Sequence, residues 1–182
     1  HHGDAPVPDE VLTRMAAILR RWNSDHPFLT GTDDYPMAAL HATRAEGVEE
    51  CGARVETVYQ ALRAKKLRRG NALQLASHLV SLGDGSPAAR ALRFDRVRNA
   101  LVERGERVGT GRYDEVAIHS LTTARPADLA RRFVRDRDAL RAAKPRPSAD
   151  LAFSLAAGVA LAREVPRGRA VGDFAAVAAA QA

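Results

Sequence analysis

The chain has 182 residues, a formal charge of +6 and an apolar fraction of 46%, which provides for one packed core and excludes a highly charged disordered chain. Its longest apolar run, "LAFSLAAGVALA" at 151–162, is shorter than the roughly 20 residues needed to cross a bilayer, so no membrane partner is expected. The single cysteine, Cys51, excludes an intramolecular disulfide and a multi-cysteine zinc site, and fits a reducing, cytoplasmic setting.

The basicity consists of 25 Arg against 3 Lys in an alanine-rich chain, the pattern that GC-rich coding produces. A nucleic-acid footprint requires cations gathered on one face, not a high total.

In chain order, "HHG" at 1–3 reads as a tag remnant, and no Met precedes Met15, so the natural start is expected to lie upstream. "PDEVLTRMAAILRRWN" carries Val11, Leu12, Met15, Leu19 and Trp22 at helical spacing, predicting an N-terminal helix that caps the rest. "LTGTDDYPMAALHATR" at 29–44 begins another helix, with Thr32 or Asp33 expected to receive first-turn N–H groups and Pro36 tolerated there. Val48, Cys51, Val55, Val58, Tyr59 and Leu62 predict a third helix over about 47–67, stopped by Gly70. "NALQLASHLVSL" is apolar on most sides and predicts a central helix. After the break "GDGSP", a further helix is predicted with Leu92, Val97 and Leu101 inward.

The same elements then return. "GTDDYPMAALH" at 31–41 and "GTGRYDEVAIH" at 109–119 are 78 residues apart, and the same offset lays "ALRAKKLR" at 61–68 on "ALRAAKPR" at 139–146. Two blocks in one register predict an internal duplication, with repeats over about 31–107 and 109–182. The second copy continues as a helix over about 126–143 with Leu129, Phe133 and Leu140 inward, then "ADLAFSLAAGVALA", then a weaker fourth element, "VGDFAAVAAAQA". No segment alternates as a strand would. The expected fold is one all-α domain of about nine helices, a four-helix unit present twice.

The two copies separate structural from functional candidates. Thr32/Thr110, Tyr35/Tyr113 and His41/His119 recur and suit helix entry and packing, and Cys51 aligns with Leu129 and so reads as core. Asp33 and Asp34 face Gly111 and Arg112, and His78 faces Ala156. Asp34 and His41, seven residues apart, share a helix face but sit about 10 Å apart along the axis, so a common ion would need a third group such as His78. Capping with a buried His78 is the bland alternative. A second candidate is a basic surface of Lys65, Lys66, Arg68 and Arg69 with Arg131, Arg132 and Arg135, interrupted by Asp136 and Asp138 and without aromatics to stack bases. The bland reading is that these cations offset the negative ends of helices. "GDGSP" lacks the preceding strand and G-K-[ST] ending of a phosphate loop, and there is no G-x-S-x-G elbow, so no residue calls for an enzyme or a cofactor.

"HPFLTGTDDYPMAALHA", "LRRGNALQLASHLVSLG" and "RPSADLAFSLAAGVAL" together resemble a bacterial family catalogued as domain of unknown function 4003, over about 26–162. The resemblance implies that the chain corresponds to the C-terminal portion of longer members, and brings no activity, substrate or cofactor. Its pattern covers Asp34, Gln74, Ser77 and His78. The expected role is a non-enzymatic interaction scaffold holding a protein partner, or the protein's own N-terminal region, in a groove between the copies. The alternative is a small-ligand or divalent-metal pocket at Asp33, Asp34, His41, Gln74, Ser77 and His78; the third is nucleic-acid binding through the Arg-rich faces.

Overall fold

A computed structural model describes residues 7–164, and among these it contains eight α-helices and no strand. They are α1 (Asp9–Asp25), α2 (Tyr35–Ala42), α3 (Val48–Ala64), α4 (Asn71–Ser81), α5 (Pro87–Val102), α6 (Tyr113–Ser120), α7 (Pro126–Ala142) and α8 (Ala149–Glu164). Three-residue 3₁₀ turns, Thr32–Asp34 and Thr110–Arg112, lead into α2 and α6. The weak element expected in "VGDFAAVAAAQA" lies outside the described residues.

The helices form two layers. α1, α3, α5 and α7 pack in succession, as do α2, α4, α6 and α8, and each odd-numbered helix also packs on the even-numbered helix that follows it. One contiguous cluster of buried side chains runs from Ile18 and Trp22 of α1 to Phe153 and Ala157 of α8.

Local chemistry explains the boundaries. Pro87 and Pro126 open α5 and α7, where a missing N–H has no intrahelical partner to lose. The Ser86 hydroxyl accepts from Ala89 N at 3.3 Å and Ser148 accepts from Leu151 N at 3.2 Å, supplying N-caps to α5 and α8. Gly70, at φ 132°, makes the turn into α4 that a side chain would strain. Gly52 is needed for packing, since a Cβ there would meet Arg21 Cγ at 2.6 Å and hold α3 away from α1.

The offset of 78 residues holds at every element start: Thr32 to Thr110, Tyr35 to Tyr113, Val48 to Pro126 and Asn71 to Ala149. It also holds for α1, since Asp9 leads to Pro87. The cap at the end of the stack is thus the positional counterpart of α5, and two units, α1–α4 and α5–α8, share one order of elements. Met15, Ile18 and Trp22 are followed by Phe94, Val97 and Leu101, one residue out of step, and the slip is absorbed by the next loop.

Tyr35, expected to pack as Tyr113 does, is 51% exposed where Tyr113 is buried, and two inward leucine assignments fail on one geometry. Leu12 is 46% exposed and Leu92 is 38% exposed, whereas Ile18 and Phe94 are fully buried. Both displaced leucines lie at the edge of an apolar stripe that neighbouring helices cover only along its centre.

Candidate functional site

The turn before α2 carries the acidic pair. Asp33 is exposed and Asp34 is buried, so the two carboxylates do not act together. Capping also differs from the expectation: neither Thr32 nor Asp33 receives a first-turn amide, and Asp34 instead turns back so that its Oδ2 accepts from Gly31 N at 2.9 Å. A tight 3₁₀ turn puts residue 34 one rung above Gly31, which makes the backward bond short.

Asp34 is completed by α4. Gln74 Nε2 lies 3.2 Å from Thr30 Oγ1 and 3.5 Å from Asp34 Oδ2, and His78 Nε2 lies 3.4 Å from Asp34 Oδ1. Gln74 and His78 are one helical turn apart, so both project from one face of α4 toward the loop. The His78 ring lies against Trp22 of α1 with centroids 3.8 Å apart, and His41 meets the same indole edge-on at 5.4 Å. Ser77 donates to Leu73 O at 2.7 Å within its own helix.

His41 has two distinct sides. Its Nε2 lies 3.2 Å from His78 O, which also accepts from Ser81 Oγ at 2.7 Å. A carbonyl only accepts, so Nε2 carries the proton and Nδ1 presents its lone pair. Nδ1 faces Cys51 Sγ at 3.5 Å and Arg54 Nη2 at 3.4 Å, and Arg54 in turn is bonded to Glu46. Arg44 Nε lies 3.7 Å from the same Glu46 oxygen, and Arg14 donates to the Glu46 carbonyl.

Burial sets the protonation of this interior. Desolvation, reinforced by His78, lowers His41 to about 3, and His78 is lowered by desolvation against the opposing pull of Asp34. Desolvation, helped by Glu46, raises Cys51, so the thiol is kept protonated.

Of the residues singled out by sequence, Asp34, Gln74 and His78 come together, and His78 and His41 meet Trp22. Ser77 is buried beside them but spends its hydroxyl on its own helix, and Asp33 stands apart. Trp22, Glu46, Cys51 and Arg54 were not among the candidates. A signal existed for two of them: Glu46 and Cys51 face Ala124 and Leu129 in the other unit. Arg54 recurs as Arg132, and only the fold shows that it reaches His41.

The basic residues are interleaved with acids. Lys65 pairs with Asp95 at 3.7 Å, Arg131 with Asp128, and Arg135 with Asp136 at 3.2 Å. The exterior also has clefts. One of about 400 Å³ lies where the units meet, lined by Val80, Gly83, Asp84, Arg90, Leu121 and Thr122 among others. Another of about 530 Å³ lies between α1 and the end of α2, lined by Glu10, Val11, Arg14, Ala42, Thr43 and Arg44.

Fold and site together define a two-layer helical protein with a closed polar interior in its first unit. The chain belongs to the family described as Protein of unknown function (DUF4003), which matches residues 3–161. It is 24% identical over 110 residues to "Uncharacterized protein YeaA" of Bacillus subtilis (strain 168), a match covering 60% of this chain and 33% of that protein. The aligned part thus spans about a third of the length of this curated relative. No solved structure matches. No described helix is long and apolar enough to cross a membrane.

Proposed function

We propose that this chain is a non-enzymatic helical interaction scaffold built by internal duplication, and that it holds a polypeptide partner in the cleft between its two units. The carrying observation is the contrast between a closed interior and an open exterior. Asp34, Gln74, Ser77 and His78 are each at most 6% exposed, so they present no open surface to a macromolecular partner. The cleft at Val80–Asp84 and Leu121–Thr122 is open, concave and mixed in character, the kind of surface that stacked helices use for binding. Arg90 donates to Ser81 O at 2.6 Å and Arg93 to Ser120 O at 2.8 Å, so the ends of α4 and α6 that form its walls are held by α5. The interleaved acids argue against nucleic acid as the partner.

The test fills the cleft without disturbing the core. Ala89 is exposed and lines it, so Ala89→Trp should leave the unfolding midpoint unchanged. In affinity capture from source-cell extract, a specific polypeptide should be retained by the natural chain and lost by Ala89→Trp. Equal retention by both would remove the cleft from the reading.

A second reading, a small polar ligand enclosed in the first unit, is favoured by one specific observation. Trp22 Nε1, Gln74 Oε1 and His78 Nδ1 are buried without hydrogen-bond partners on side chains of this interior, and buried polar groups ordinarily have partners. Native mass spectrometry of gently purified protein should then find a small molecule that is lost in His78→Phe. Identical masses after allowance for the substitution would end this reading.

A further inference from the structure

We propose that His41, Glu46 and Cys51 form a binding site for a divalent transition cation of the zinc class, which Arg54 fills with its guanidinium when the metal is absent. Nδ1 of His41, Sγ of Cys51 and a carboxylate oxygen of Glu46 all lie within 4.8 Å of one another. The Cys51 Sγ to His41 Nδ1 separation is 3.5 Å, and two ligands at ~2.0 and ~2.3 Å from one tetrahedral ion would be about 3.5 Å apart. Imidazole, thiolate and carboxylate together suit zinc rather than calcium or magnesium, which favour oxygen alone.

The surroundings of the imidazole match the requirement. A ligating histidine uses one nitrogen for the metal and gives the other N–H to a carbonyl or carboxylate, which fixes its tautomer. His41 gives Nε2–H to His78 O, and Ser81 Oγ braces that same carbonyl, so Nδ1 is aimed at Cys51. Glu46 and Arg54 are buried along most of their side chains, and Arg44, beside them, is 36% exposed at the mouth of the cleft between α1 and α2, which provides an entry path.

Arg54 shows that the site attracts a cation. Its Nη2 is within 3.4 Å of Nδ1 and is bonded to Glu46, so an internal positive charge stands among the three donors. Metal binding exchanges one cation for another: the guanidinium leaves, the thiol releases its proton to solvent, and thiolate and carboxylate balance the divalent charge. In the other unit His119 and Arg132 stand at the equivalent positions, but Glu46 and Cys51 are replaced by Ala124 and Leu129. The histidine therefore recurs, whereas the carboxylate and thiol donors occur at these positions in the first unit alone.

Cobalt(II) titration of the full chain under reducing conditions tests the proposal, because Cys51 is the sole sulfur that can give a thiolate-to-cobalt band. Expected are a near-ultraviolet charge-transfer band and strong visible bands of a tetrahedral ion, saturating at one equivalent and bleached by zinc. Cys51→Ala should abolish the charge-transfer band. Arg54→Gln should tighten apparent cobalt affinity about tenfold, the scale of removing one adjacent like charge. Cobalt bound without the thiolate band, as at His1 and His2, or no binding at all, overturns the proposal whether or not the variants fold. Unchanged or weaker binding in Arg54→Gln overturns the exchange with the guanidinium.

Discussion

The two units share their order of helices but solve the same junction with opposite charge. In the first, Asp34 joins Gln74 and His78 behind Trp22. In the second, the equivalent Arg112 pairs with Asp150 at 2.9 Å and Glu106 at 3.8 Å and lies 3.9 Å from the Phe153 ring centroid. The partners change with it: Gln74 and His78 become Ala152 and Ala156, while Glu106 and Asp150 face Phe28 and Ala72. Asp34 and Glu106 are the buried carboxylates of the two junctions, and a buried charge is tolerated only with its own partners, so each junction changes as a set. Residues that one unit alone carries are therefore to be taken together, and Glu46 and Cys51, beside the recurring His41, are a second such case.

Exchanging residues between the units breaks this comparison in graded ways. Asp34→Arg should have the largest effect, about 3–5 kcal/mol of lost stability by chemical denaturation, because the arginine would meet Gln74 and His78 where no carboxylate replaces Glu106 or Asp150. A loss below about 1 kcal/mol would mean that the junctions are interchangeable.

Acid comes next. His41 and His119 recur as a buried pair, at about 3 and about 4, both depressed mainly by burial from an unfolded value of 6.5. The unfolded chain therefore binds more protons, so their contribution is complete above pH 6.5 and is lost as pH falls toward the folded values. In chelator-treated protein, proton uptake on denaturation should rise from about half a proton per histidine at pH 6.5 toward about one near pH 5.5, and His119→Gln should remove one histidine's share. A stability flat over that window would contradict the burial of both rings.

His78→Ala installs the residue of the second unit and should cost about 2 kcal/mol, less than a large core truncation because it also removes Nδ1, a buried ring nitrogen without a hydrogen-bond partner. Trp22 fluorescence should shift as its stacked neighbour disappears. Gly70→Ser, the exchange with Ser148, should cost about 1 kcal/mol, since position 70 sits at φ 132°. An equal loss from Gly31→Ser, where φ is −149° and an added Cβ meets nothing, would show that the effect is not backbone strain.

Much of this was legible in the linear order of residues. Helical periodicity located α1, α3, α5 and α7, apolar character on most sides located α4 and α8, and the repeated "GT…Y…H" block located α2 and α6 and placed the register that the element starts keep, because pattern and offset are local properties of a chain. Cys51 could be assigned to the core by its alignment with Leu129. The acidic pair was legible only as a pair, and its division into an exposed Asp33 and a buried Asp34 depends on the pitch of a 3₁₀ turn.

The sequence by itself determined the helices, their order and which residues occur in one unit alone. Only the tertiary structure decided that α1 stands where α5 stands in the next unit, that Leu12 and Leu92 fall at an exposed edge, and that Glu46 and Arg54 converge on His41 and Cys51. Those outcomes depend on which helix faces are covered by neighbours and on side chains meeting across helices, distances that sequence spacing does not encode.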